Sequence, residues 1–589
     1  MQLSLLDWSF IIVFFLVSLL IGLIVARQSG KSSAEFFLSG RNMPWWLLGV
    51  SMVATTFSAD TPNLVTDIVR KDGVSGNWIW WAFLITGMLT VFVYARLWRR
   101  SGVLTDLEFY ELRYSGKEAA FLRVFRALYL GILFNVLIMA TVCLAAIKIG
   151  GTLLNINPVQ TLLIASVVTV AYSALGGLKG IILTDFFQFA IAMIGTIWAA
   201  VVIVNMPEIG GLNALITHEN VADKINILPD FNNTEALVSL LVIPLAVQWW
   251  AAYYPGAEPG GGGYVAQRML AAKDEKNAVG ATLLFNIAHY ALRPWPWIII
   301  ALCSLVLFPD LDALKAAFPN ISQEVIDDDL AYPAMLTFLP SGLLGIVIAS
   351  LIAAFMSTIS THLNWGSSYI VNDFYKRLIK PDASEQELVG IGRISTILLM
   401  IVAAITALYL KSAKDAFGII VLMGAGTGLL FILRWFWWRI NAYSEITAMV
   451  LSFVVAIVFK FAIPGYFAGH VELLLSVAIT TAGWVIVTFA TRPTQRTTLI
   501  HFYKLIKPHS LGWKPVLQQG ISEGSIHQQE VTTGRLPREL MAMFMSIFLV
   551  YSALAATGFW LYGNISYAVA LTGLSIIWGI LLARIWKRV

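Results

Sequence analysis

The sequence predicts an all-α protein that spans a membrane, and two observations carry that prediction. Apolar residues make up 58% of the chain and charged residues 12%, about half the charged share of an average soluble domain. Apolar runs of about 20 residues recur from Leu5 to Trp586, each long enough for a helix to cross a hydrocarbon core. Lipid cannot satisfy backbone polar groups, so such runs must be helical.

In order, the spans fall near residues 7–26, 45–70, 78–98, 121–149, 158–176, 181–205, 236–257, 277–307, 334–372, 389–410, 413–436, 441–464, 469–491, 538–561 and 564–587, about fifteen in all. The first run begins with Asp7 and lacks a small-residue cleavage pattern, so it reads as a retained helix and not a signal peptide. Cys143 and Cys303 both fall inside apolar runs, where neither a disulfide nor a metal pattern can be built. The formal charge of +5 does not point to nucleic acid, because the basic residues cluster at helix ends on alternate connections, as topology signals do.

Arg27, Lys31 and Arg41 follow the first span, and Arg96, Arg99, Arg100, Arg113, Lys117, Arg123 and Arg126 surround the connection after the third. Both connections are expected in the cytoplasm. The connections 206–235 and 308–333 hold one lysine each, Lys224 and Lys315, and are expected outside. An odd number of crossings then puts the N-terminus outside and the C-terminus in the cytoplasm, in agreement with Arg584, Lys587 and Arg588. The stretch 492–537 has no apolar run to form a core and reads as a cytoplasmic linker on the membrane surface or a regulatory docking segment.

Two spans carry breaks. The one beginning at Trp45 contains Ser51, Thr55, Thr56, Ser58, Asp60, Thr61, Pro62 and Asn63; the one near 241–264 contains Gln248, Pro255, Glu258, Pro259 and the run Gly260 to Gly263. They open two blocks, 45–205 and 236–440, as expected of inverted repeats whose broken helices form a binding site near the bilayer midplane. The competing readings are a polar packing seam for the first segment and a flexible bend for the second. The remaining segments are 1–44, a peripheral helix and cytoplasmic loop; 441–491, peripheral helices; and 538–589, a terminal hairpin.

In the run Ala353 to Thr361, helical spacing puts Ala354, Ser357, Thr358 and Thr361 on one face, offering oxygens of the kind a hard cation takes. The competing reading has these hydroxyls bonding back to the preceding turn. Downstream of Gly176-Gly177, Asp185 and Gln188 fall in an apolar helix. A membrane carboxylate is a functional candidate by default, unless it snorkels from a helix end.

These stretches resemble the sodium/solute symporter family, which includes bacterial proline and sialic acid transporters and sodium/glucose cotransporters. The matching pieces are Ser39 to Trp46, Ser51 to Ala59, Gly176 through Asp185 and Gln188, Gln267-Arg268-Met269-Leu270-Ala271-Ala272-Lys273, and Ala354 to Thr361 with Asp373 to Lys376. The resemblance implies a leucine-transporter-type five-plus-five inverted-repeat bundle that imports a small organic solute by alternating access. It implies a sodium site from carbonyls of Ala54, Phe57 and Ala354 and hydroxyls of Ser357 and Thr358. In some relatives a second sodium is held by positions matching Asp185, Ser357, Ser360 and Thr361. The implied partners are a solute, sodium ions and the bilayer, with no cofactor beyond the coupling ion.

Positions that bind sugar in glucose-transporting relatives fall on Thr61, Trp80 and Phe83, which do not reproduce a sugar-binding set, and no arginine lies near Ile138, where sialic acid transporters place one. Asp60 and Thr61 are substrate candidates, Asp60 facing an amine or capping a half-helix; Trp249, Trp250, Tyr253 and Tyr254 close over a substrate or belong to an aromatic core, with Trp249 and Tyr253 the leading pair. A membrane enzyme would need paired catalytic residues, whereas His289 and His362 stand alone in apolar runs. A sensor would carry a signalling domain in place of the terminal hairpin.

Overall fold

The computed structural model describes the chain except residues 1–2, 30, 255, 320, 322, 324–325, 411–412, 532–534 and 587–589, so Pro255, Lys587 and Arg588 lie outside the described residues. Among those described there is no β-strand, and twelve helices are long and apolar enough to cross a membrane. The difference from the expected runs has three sources. The 45–70 run is two short helices, the 158–176 and 181–205 runs are one long helix, Pro158–Val204, kinked at Gly177, and the 413–436 run divides into Ala413–Gly424 and Gly428–Leu433.

Seven elements position the site. The first discontinuous helix comprises α1 (Trp45–Thr56) and α2 (Asp60–Asp72). Next come α3 (Gly176–Val204) and the second discontinuous helix, α4 (Thr234–Ala251) and α5 (Gly263–Ala271). Finally, α6 is Glu275–Leu307 and α7 is Leu343–Ile379.

Each break has a local cause. Pro62 sits in the first turn of α2, where a missing N–H leaves no intrahelical bond unmade. Between α4 and α5, Gly260, Gly261 and Gly263 take φ of 80°, 72° and 56°, a region that favours glycine. A Cβ on Gly260 would lie 2.5 Å from the Phe431 carbonyl oxygen. This glycine run is therefore packed backbone and not a loose bend. The backbone opened by the break pairs with the divided helix near Ala425: Tyr253 N–H donates to Gly424 O (3.1 Å) and Gly426 N–H to Ala251 O (2.9 Å). Lipid offers no such partners. In α6, a π-helical turn over Ala288–Leu292 precedes a kink at Arg293, where Pro294 cannot donate.

Helix α3 lies along α7, with Gly195 against Ser350. The N-terminal helix Leu5–Ser29 packs on both, and Asp7 accepts from the Gly342 and Gly345 amides at 2.7 and 2.8 Å, capping the start of α7. That start lies later than the expected 334, because Gly342 turns the chain at φ 86°.

The 492–537 segment departs from the linker expectation. It forms helices Arg496–Ile506 and Lys514–Ser522, whose Phe502, Ile506 and Leu517 are buried along with Trp513 between them, Phe502 packing on Trp435, Phe109 and Trp513. No contiguous apolar run was needed, since amphipathic spacing supplies one apolar face to an existing core.

Candidate functional site

A cavity of about 130 Å³ lies between the two helix breaks. Its walls come from Thr56, Ser58, Asp60 and Thr61 at the first break, Tyr254, Gly256 and Tyr264 at the second, His289, Tyr290 and Arg293 on α6, and Thr358 and His362 on α7. The π-helical turn and the Pro294 kink are what turn His289, Tyr290 and Arg293 inward. Arg293 is 1% exposed; its Nη1 donates to Val53 O (3.1 Å) and Thr56 Oγ1 (3.2 Å), fastening α6 to the end of α1.

Below the cavity, α1 meets α7. Thr358 Oγ1 donates to the Thr55 carbonyl at 2.7 Å, while Ala54 O accepts from Phe57 N–H at 3.1 Å across the break. Ala54, Phe57, Ala354, Ser357 and Thr358 are all buried. Ser357 Oγ turns toward α3 and donates to Asp185 Oδ1 at 2.6 Å, and Ser51 Oγ donates to Asp185 Oδ2 at 2.5 Å. Asp185 has no exposed surface, which removes the snorkelling reading. Of the hydroxyls on α7, Ser360 does bond back, to Ser357 O at 3.1 Å, whereas Ser357 and Thr358 reach other helices.

A second charge sits in the same place. Arg268 on α5 is fully buried, with Nη2 donating to Thr361 Oγ1 at 2.7 Å and lying 3.9 Å from Asp185 Oδ2. Its Nε donates to Ser51 Oγ at 3.2 Å. One turn beyond Asp185, both polar atoms of the buried Gln188 lack a hydrogen-bond partner. A carboxylate ringed by hydroxyls, with an unsatisfied amide beside it, suits a hard cation that takes oxygen ligands.

The family model that matches, sodium:solute symporter family, spans residues 36–452. The chain belongs to the sodium:solute symporter family. It is 27% identical over 464 residues to the sodium/glucose cotransporter of Vibrio parahaemolyticus, covering 75% of this chain and 82% of that protein. To the sodium/sialic acid symporter of Proteus mirabilis it is 24% identical over 458 residues, covering 75% and 87%. A solved structure of a Na+-coupled sialic acid symporter in a substrate-bound outward-open state matches with a TM-score of 0.67 at 20% identity, over 84% of this chain and all of that one, so the two share a fold. The protein is a sodium-coupled solute symporter and a multi-pass membrane protein.

The symporter brings Asp60 and Thr61 to the cavity, but not Trp249 or Tyr253. Trp249 is held by its own helix, donating to Leu245 O, and Tyr253 packs between Phe134 and Phe431; of the four aromatic candidates it is Tyr254 that lines the cavity. Ser360 is turned away from Asp185. His289 and His362, which read as core residues, both line the cavity, His362 satisfied by Asn135 at 2.6 Å. Arg293 and Arg268 were missed, although a lone arginine in an apolar run, like a lone acid, is a signal.

Proposed function

We propose that the symporter moves its solute through the cavity between the two helix breaks and couples it to sodium where α1 meets α7. The observation that carries this reading is the Thr358 to Thr55 bond, which sets hydroxyl and carbonyl oxygens of two helices together at the cavity's edge. The first ion takes Ala54, Phe57, Ala354, Ser357 and Thr358. The surrounding architecture is a five-plus-five inverted repeat within about fifteen crossings, the part of the Pro158–Val204 helix before its Gly177 kink and the two divided runs completing the count. The N-terminus faces outward and the C-terminus the cytoplasm, following the charge asymmetry of the connections.

A second ion takes Asp185, Ser357 and Thr361, with Ser360 joining when its hydroxyl rotates. In this conformation Arg268 holds the Thr361 oxygen, so entry of that ion and withdrawal of Arg268 are one event. Each ion supplies about 3.7 kcal/mol at 100 mV and a tenfold gradient. Uptake in proteoliposomes is expected to require sodium and to vanish in potassium or choline; equal uptake driven by a proton gradient without sodium would refute the coupling.

A further inference from the structure

The cavity presents two opposite charges, and neither is fully satisfied by the protein. Asp60 opens α2 and its Oδ1 has no hydrogen-bond partner; Arg293, across the cavity on α6, has an unpartnered Nε. Buried polar atoms are nearly always paired in native proteins, and an unpaired buried charge is costlier still. Two such atoms, of opposite charge, on one cavity mark the place of a ligand that completes them. Asp60 and Arg293 line the same cavity without forming an ion pair.

The direction of the dipole follows from the helices. The N-terminus of a half-helix at a break ordinarily attracts an anionic substrate group. Here Asp60 already supplies the negative charge to the positive end of α2, while the last carbonyls of α1 point toward the break from the other side. A second anion at this position would meet like charge, and a cation would meet Asp60. An anion finds its partner at Arg293, whose fork is suited to carboxylate. Between the poles the walls are aromatic, with Trp80 stacked near Tyr290 at 5.9 Å and Phe83 on Tyr254 at 5.6 Å. The cavity of about 130 Å³ equals roughly four waters' share of liquid volume.

We infer that the solute is a small zwitterion, its cationic group at Asp60 and its carboxylate at Arg293. The inference rests on the central cavity being the transport site.

A thermal-shift titration of the purified full-length protein, in sodium and in choline, tests it with charge-matched compounds. Zwitterions with one carbon between the charges (L-alanine, L-proline and glycine betaine) and with three (γ-aminobutyrate) are set against compounds carrying one pole, L-alaninamide and propionate, and against the neutral polyols glucose and myo-inositol. At least one zwitterion is expected to stabilise the protein in sodium, with single-pole analogues at least about tenfold weaker, since each leaves one buried charge unpaired. Asp60→Asn is expected to weaken that zwitterion by about tenfold or more, and Arg293→Lys to weaken it less than Arg293→Gln. Should Arg293→Gln not fold, the ligand comparison on the wild type still decides. Stabilisation by a polyol that Asp60→Asn leaves unchanged overturns the proposal. So does a shift from sodium alone to which no zwitterion adds, a result that leaves the symport reading intact. No sodium effect of any kind overturns both.

Discussion

Asp185→Asn and Arg268→Gln form a double-mutant cycle that isolates the charge pair beneath the cavity. The two groups have no exposed side-chain surface and lie 3.9 Å apart, so their attraction at an effective dielectric of about 20 is roughly 4 kcal/mol. Either single change leaves the other charge buried without its counterpart, at a cost of about 3–5 kcal/mol. Removing both eliminates the desolvated pair altogether, and buried pairs replaced together cost far less than pairs broken singly. In sodium-free buffer each single variant is therefore expected to lower the apparent melting temperature by a few degrees, and the double variant to recover at least half of that loss. Sodium adds the second arm. Arg268→Gln vacates the Thr361 oxygen while retaining the carboxylate, so it gains more from sodium than the wild type, its own gain being about 2.7 kcal/mol at a concentration of 100 times its dissociation constant. Asp185→Asn gains less than the wild type. Strictly additive losses would refute the coupling, and an unchanged sodium response in Arg268→Gln would show that the guanidinium does not compete with an ion.

Thr358→Ala removes a hydroxyl that reaches the Thr55 carbonyl and is expected to raise the sodium concentration for half-maximal uptake several-fold, since lipid supplies no replacement oxygen; an unchanged sodium dependence would refute its role. Outside the membrane, Asp327 accepts from Lys71 Nζ at 3.0 Å. Burial opposes its ionisation, but the Asp328 amide and Lys71 more than offset this and hold its carboxyl below the usual range. Its contribution is present above the unfolded pKa of about 4 and is lost as pH falls through the lower folded value. Asp327→Asn is expected to reduce stability at neutral pH and to remove that part of the acid dependence, read by melting curves from pH 7 to about 3. At Gly424, a Cβ would lie 2.2 Å from the Tyr253 carbonyl oxygen, whereas at Gly573 nothing lies within 4 Å. Gly424→Ala is expected to destabilise by about 1–3 kcal/mol and Gly573→Ala to be neutral or slightly stabilising; equal melting temperatures would show that the 252–425 backbone pairing tolerates separation.

Composition and periodicity alone determined that the chain is helical and membrane-embedded, because lipid imposes a length and an apolarity that each segment must meet by itself. They also exposed the first break, since Pro62 and the polar run around it act through neighbouring residues. Asp185 stood out for the same kind of reason: a carboxylate in an apolar helix is conspicuous wherever its partner is. What tertiary structure decided is which side chains meet. That Tyr254 and not Tyr253 lines the cavity depends on a backbone rotation at the second break, set by pairing with residues some 170 positions away. Arg268 reaches Asp185 from another helix, 83 positions further along the chain, and the packing of 492–537 depends on a face matched to Trp435 and Phe109. Local sequence encodes the span and its interruptions. The partner of a buried charge is chosen by the close packing of distant segments, where a charge left unpaired is costly and spacing along the chain carries no information about distance in space.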